Sequence, residues 1–308
     1  MKKETVFVEM SDGKKVALHT WIPDGDVKAV VQLSHGMAEF AMRYDRFAEI
    51  CASNGIAFYG HDHRGHGETA ANLNDLGYLA DKDGFQRVVL DVHEMVMKAH
   101  ADFPEKPVFL FGHSFGSFVA QSFIEQFGKD ISGCVLCGSA GPRLPLTRAG
   151  HFLAGTIKLF TGARKRSKII DTIAFGAYNS HIPDAKSDFD WLSHDLEELQ
   201  KYQDNPYCGF KCTNEFFYDF FGGLCTIHKK ANMKKIPQDL PVFIIAGEED
   251  PVGDWGKTVP QLHAIYKENG IKDLTLKMYP GCRHELLNET NHAEVEQDIL
   301  GWFTSHIA

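Results

Sequence analysis

The 308-residue chain has no uninterrupted apolar run of the roughly 18 to 20 residues that a membrane span needs, so no transmembrane segment is expected. It also lacks a cationic surplus. Thirty-two Lys and Arg against 41 Asp and Glu leave a formal charge of -9, which disfavours broad nucleic-acid binding. The start, "MKKETVFVEMSDGKK", has lysines but no apolar stretch behind them, so no secretory signal is expected. Seven scattered cysteines, an odd number, do not suggest a disulfide framework, and they read as reduced thiols of a cytoplasmic protein. Cys134 and Cys137 have C-x-x-C spacing, yet they sit in a β-type apolar run with no second such pair in the chain. Cys208 and Cys212 also stand alone, so all four are expected to serve packing rather than a metal or redox site.

What the sequence does contain is alternation. Short apolar runs such as "KAVVQLSHG", "IAFYGHD", "PVFLFGHS" and "ISGCVLCGSAG" alternate with helix-period runs. In "GFQRVVLDVHEMVMKAHADFP", Val88, Val92, Met95, Val96 and Ala99 fall on one helical face before Pro104 stops the run. The pattern predicts an α/β domain with a mostly parallel sheet covered by helices on both faces. It breaks between about Pro142 and Pro237, where no strand-like run occurs, and resumes with "PVFIIAGEEDP". The expected division is a core of residues 1–141 and 237–308 with a mainly helical insertion over 142–236.

In "PVFLFGHSFGSFVAQSFIEQF", Gly112 and Gly116 bracket Ser114 where an apolar run gives way to a helix-like one. A serine hydroxyl is a weak nucleophile unless it is exposed and has a base within reach. A sharp strand-to-helix turn exposes it, and the crowded backbone of such a turn favours glycine on either side. The following helix aims its N-terminal N–H groups at the place where negative charge would develop.

In a nucleophile elbow of this kind the acid and base follow in the order Ser, Asp or Glu, His. "IIAGEEDPVGD" supplies acids just past one apolar run, and "YPGCRHELLNE" supplies a histidine past the last one. His284 is the candidate general base and Asp250 the candidate orienting acid, with Glu249 and Asp254 as rivals for the latter role. The backbone N–H of Phe115, directly after the serine, and that of Met37 in "LSHGMAEF" are the candidate oxyanion donors.

Taken together, "HGMAEFAMRY", "GHDHRGHG", "ADKDGF", "GHSFG", "GEEDPV" and "GCRHELLNE" resemble, in order and across nearly the whole chain, the monoacylglycerol lipase and lysophospholipase-like branch of the α/β-hydrolase superfamily. The resemblance implies an eight-stranded sheet with a helical cap over the site. It further implies hydrolysis of carboxylic esters of an acyl chain and a small polar alcohol, without cofactor or metal. It implies that Glu39 and Arg43 help to recognise the polar head of the substrate. The plainer reading of that pair is a helix-surface ion pair at i,i+4 spacing. The chain departs from the usual pattern at Phe40, where histidine is common, and at Glu68-Thr69.

Rival chemistries are legible too. His61, His63 and His66 in "HDHRGH" approach a metallohydrolase spacing, but Gly65 stands where that motif wants an aspartate, so a structural role is expected. The same fold also accommodates an aminopeptidase or amidase, or a binding protein without catalysis. In "HFLAGTIKLF", Phe152, Leu153, Ile157 and Phe160 recur at helical spacing before the basic Arg164, Lys165 and Arg166. They would either pack a cap helix with a solvated basic end or form an acyl-chain entrance, Phe152 and Ile157 included, with a weak attraction to anionic interfaces. The aromatic run Phe216, Phe217, Tyr218, Phe220 and Phe221 would line the same tunnel or fill the cap.

Overall fold

The computed structural model describes residues 1–307. Its eight strands are β1 (Lys2–Glu9), β2 (Lys15–Ile22), β3 (Ala29–Ser34), β4 (Ile56–His61), β5 (Val108–His113), β6 (Gly133–Cys137), β7 (Val242–Gly247) and β8 (Leu274–Tyr279). They form one sheet in the order β1-β2-β4-β3-β5-β6-β7-β8. The β1–β2 hairpin and the β2–β4 pair are antiparallel, and every other pair is parallel.

The central strands are buried on both faces, which is why they read as continuous apolar runs rather than as alternating ones. The period of two still sorts their side chains: Val108 and Leu110 join one core, and Phe109 and Phe111 the other. The same parity settles the C-x-x-C pair. Cys134 and Cys137 are three residues apart on β6, so they point to opposite faces, and each is buried in a different core.

Among the described residues, ten α-helices accompany the sheet: α1 (Asp45–Ser53), α2 (Gly84–Asp102), α3 (Phe115–Phe127), α4 (Leu144–Thr161), α5 (Lys168–Phe175), α6 (Leu196–Asp204), α7 (Asn214–Ile227), α8 (Lys230–Met233), α9 (Thr258–Glu268) and α10 (His292–Ser305). The face predicted for α2 is the one it buries, with Val88, Val92, Met95, Val96 and Ala99 all inaccessible. Helices α4 to α8 lie between β6 and β7, a stretch without a strand among the described residues. Among those residues, no helix is long and apolar enough to cross a membrane.

The helical segment corrects one expectation and adds to another. Phe152 and Phe160 are 77% and 81% exposed, and α4 packs on α7 through a face of small residues instead. Gly150 abuts Phe221, Gly155 abuts Tyr218, and Ala154 is fully buried. The basic stretch after α4 is exposed, as a solvated end should be, but two of its side chains are also anchored. Arg164 lies over the Tyr78 ring at 3.8 Å, and Arg166 donates to the carbonyls of Asn74, Leu76 and Lys211. These bonds tie the segment to the loop before α2.

Candidate active site

The tertiary structure brings the C-terminal ends of β3, β5, β7 and β8 to one edge of the sheet, and the candidate residues converge there. Ser114 sits between β5 and α3 with φ 52° and ψ -120°. For a residue with a Cβ this backbone costs about 1–3 kcal/mol, so the surroundings must hold it. They do so by close approach. A Cβ on Gly116 would lie 1.8 Å from the Ser34 carbonyl oxygen, and one on Gly112 would lie 2.6 Å from that of Gly116. The Ser114 N–H is fixed by a 2.9 Å bond to the Cys137 carbonyl.

Asp250 follows β7 by three residues and His284 follows β8 by five. Both are buried, and His284 Nδ1 lies 2.9 Å from Asp250 Oδ2, while Asp250 Oδ1 accepts the Val252 N–H at 2.8 Å. Of the rival acids, Glu249 faces outward toward His194 and Asp254 toward Arg143. Burial opposes protonation of the His284 ring, but the Asp250 charge outweighs it and holds the ring above its ordinary value. Gly138, at the end of β6 with φ 58°, makes room for the imidazole, since a Cβ there would stand 3.0 Å from its Cε1. Trp191, from the helical segment, covers the ring with centroids 5.0 Å apart.

Ser114 and His284 border one cavity of about 480 Å³, together with Met37 and Phe115. Among the described residues Ser114 Oγ has no hydrogen-bond partner, and neither do the amides of Met37 and Phe115. Serine-to-imidazole bonds commonly tighten only once substrate is bound. The Ser114 residue, the His284 residue and the two residues whose amides are uncommitted therefore border one space, with Asp250 buried behind the imidazole.

Glu39 and Arg43 form neither a surface pair nor a pair of free head-group ligands. Glu39 is buried, and its carboxylate accepts the Gly36 N–H at 2.5 Å and the Tyr44 hydroxyl at 2.9 Å. Arg43 donates to Glu39 at 2.8 Å and makes a two-pronged contact with Glu285 at 2.6 and 2.7 Å. This cation thus joins the loop carrying Met37 to the residue directly after His284. Burial would raise the Glu285 carboxyl, yet the guanidinium prevails and lowers it to about 2. Glu39 and Glu285 border the cavity, whereas Arg43 lies behind them. Sequence reasoning gave Glu285 no role; its position beside the candidate base was the only signal.

The histidine run supports the same loop. Gln32 donates to His61, His61 bonds His63, and His63 bonds the Ser34 hydroxyl, at 3.0, 3.2 and 3.2 Å. The His63 N–H donates to His35, whose other nitrogen bonds the Gly36 carbonyl. Burial pushes His61 and His66 down to about 3, so these rings are neutral at ordinary pH. Their nitrogens are spent mainly on internal bonds, and no metal-binding cluster of His, Cys, Asp and Glu occurs among the described residues.

Phe152 and Ile157 border neither this cavity nor a second, largely apolar one of about 230 Å³. From α4 the smaller chamber takes Leu146, Thr147, Ala149, Gly150 and Leu153 instead. Phe217, Phe220 and Phe221 line it, and Phe220 borders both spaces, so the aromatic run serves as wall and as packing. Phe118, Phe175, Tyr178 and Val252 are likewise shared walls.

Residues 25–291 match the family described as "Serine aminopeptidase, S33". The chain is 26% identical to a monoacylglycerol lipase of Mycolicibacterium smegmatis, over 96% of this chain and 95% of that one. It is equally 26% identical to the monoglyceride lipase of Rattus norvegicus, over 97% and 89% of the two chains. In structure it is similar to a carboxyl esterase of Bacillus coagulans solved with glycerol, with a TM-score of 0.93, 26% identity and full coverage of both chains. A monoglyceride lipase of Saccharomyces cerevisiae superposes with a TM-score of 0.78 at 21% identity, covering 100% of this chain and 97% of that one, a likeness of fold.

Proposed function

The chain belongs to the "Serine aminopeptidase, S33" family of α/β-hydrolases and is a serine hydrolase, and on that premise we propose that it cleaves monoacylglycerol- or lysophospholipid-like carboxylic esters through an acyl-enzyme on Ser114. The observation that carries the reading is the shared cavity: Ser114 stands on its elbow opposite a His284–Asp250 pair, and the space adjoins an apolar chamber.

In the mechanism His284 takes the Ser114 proton as Oγ attacks the acyl carbonyl. The tetrahedral oxyanion lies between the N–H groups of Met37 and Phe115, each worth roughly 3 kcal/mol of transition-state stabilisation. Collapse expels the alcohol, which takes the proton from His284. Water then repeats the sequence in reverse roles and releases the acid. Asp250 fixes the imidazole orientation and stabilises its protonated form. Residues 142–236 act as the cap, whose Lys168, Asp171, Asp188 and Lys211 give the cavity a polar rim suited to a small polar alcohol.

The family description raises an aminopeptidase as the second reading. Such an enzyme needs a carboxylate for the substrate ammonium; the two buried ones in the cavity, Glu39 and Glu285, share the single cation Arg43 and together keep one net negative charge. What favours esters is the similarity to monoacylglycerol lipases over nearly the whole chain, together with the apolar chamber beside the cavity. A panel of monoacylglycerols, lysophosphatidylcholine, p-nitrophenyl esters of rising chain length and aminoacyl amides tests the choice. Ester turnover should survive EDTA, fail with a serine-directed phosphonate, and fall by about 10⁶ in Ser114→Ala with the melting temperature kept. Turnover retained in Ser114→Ala refutes the mechanism, and preference for the amides refutes the substrate class.

A further inference from the structure

The apolar chamber has on its wall a polar side chain without a partner that the proposed mechanism does not use. His228, at the C-terminal end of α7, borders the chamber and is only 5% exposed. Among the described residues neither of its ring nitrogens has a hydrogen-bond partner. The Ala140 carbonyl is near enough to favour the protonated ring slightly. That carbonyl accepts Gln121 Nε2 at 3.3 Å, and its approach to the imidazole falls short of hydrogen-bond geometry. Burial dominates and lowers the ring to about 4, so it is neutral and presents one N–H donor and one bare acceptor.

Of the other polar groups on these walls, Arg143 and Thr147 have partners, the Arg143 guanidinium lying 3.8 Å from Asp254. The Thr147 hydroxyl donates to the Leu144 carbonyl and accepts from Cys225. An unpartnered imidazole among Leu146, Leu153, Phe221 and Leu224 is a poor wall for a plain hydrocarbon chain, because filling the space with methylenes would seal both nitrogens away from water. A chain carrying an oxygen at that depth would satisfy the ring as it enters.

We propose that His228 is a specificity residue that recognises a hydroxyl or oxo group on the acyl chain, so that the chamber favours oxygenated over saturated acyl groups. This rests on the reading of the adjoining cavity as an acyl-ester site. Selectivity arises because a buried group built to hydrogen-bond discriminates strongly against a ligand that leaves it bare.

The test separates binding from turnover. The full-length Ser114→Ala protein is titrated calorimetrically with decanoic acid and with its hydroxydecanoic isomers, the hydroxyl moved along the chain. At least one isomer should bind about tenfold or more tighter than decanoic acid. His228→Leu in the same background should erase that ratio, and His228→Gln, which keeps a donor and an acceptor, should restore part of it. Using the ratio within each protein removes any general loss from the substitution. If every hydroxy isomer binds no better than decanoic acid, or if the preference persists in His228→Leu, the inference is overturned and water serves the ring. Failure of the ester-hydrolase reading would show separately, as absence of turnover of monodecanoylglycerol by the wild-type protein.

Discussion

Replacing Arg43 with Met would remove a cation shared by two buried carboxylates, and the structure sets the size and the pH dependence of the loss. With Arg43 present, the Glu285 carboxyl is held at about 2 against an ordinary 4.5. The lowered value means that the ion pair favours folding at neutral pH. The folded value lies below the unfolded one. The contribution is therefore present in full above about pH 4.5 and is lost as the pH falls toward 2. In Arg43→Met the sign reverses, because burial without a partner raises Glu285 and its charge then opposes folding at pH 7. Breaking a buried pair in this way costs about 3–5 kcal/mol. Acidification lets the orphaned carboxylate take up a proton, so the deficit should shrink by more than about 1 kcal/mol between pH 7 and pH 5. Urea unfolding of both proteins at the two pH values measures it. Ester kcat/KM should drop as well, by about 10²-fold, because Arg43 ties the Met37 loop to the residue beside His284. A deficit below about 1 kcal/mol that is equal at both pH values would refute the assignment of this ion pair as a structural brace of the site.

Two further outcomes follow from the geometry. The base must be neutral to accept a proton, and Asp250 holds His284 above its ordinary 6.5. The acid limb of kcat/KM should therefore lie above about pH 6.5. Asp250→Asn should lower kcat by about 10⁴ and move that limb to lower pH, and a limb that stays in place would show that another group sets it. Gly116→Ala would put a Cβ 1.8 Å from the Ser34 carbonyl oxygen, a main-chain atom with no rotamer to move away. A loss of about 4 kcal/mol or more is expected, read as a collapse of the thermal transition. A melting temperature close to that of the wild type would mean that α3 can shift away from β3.

Much of the core was legible because its rules are local. A doubly buried strand must read as an apolar run, which is how β3 to β7 appear. A helix that covers one face must repeat every three to four residues, as α2 does from Val88 to Ala99. The helical segment was less legible for an equally physical reason. Helix α4 carries Leu, Ile and Phe all round, so hydrophobicity selects no single face. The partner α7 decides which side is covered, and it takes Gly150 and Ala154 rather than Phe152. The i,i+4 spacing of Glu39 and Arg43 announces an ion pair that does form, but not that it is buried or that the second partner of Arg43 is 242 residues away.

The sequence by itself determined the order of strands and helices and the tight bend at Ser114, since periodicity and the steric demand for Gly112 and Gly116 act between near neighbours. Only the tertiary structure decided that Asp250 rather than Glu249 or Asp254 meets His284, that Arg43 braces Glu39 against Glu285, and that His228 ends up bare in an apolar chamber. Those outcomes depend on which charges and surfaces the packed elements bring together, and no local pattern encodes a partner that the chain reaches only after folding.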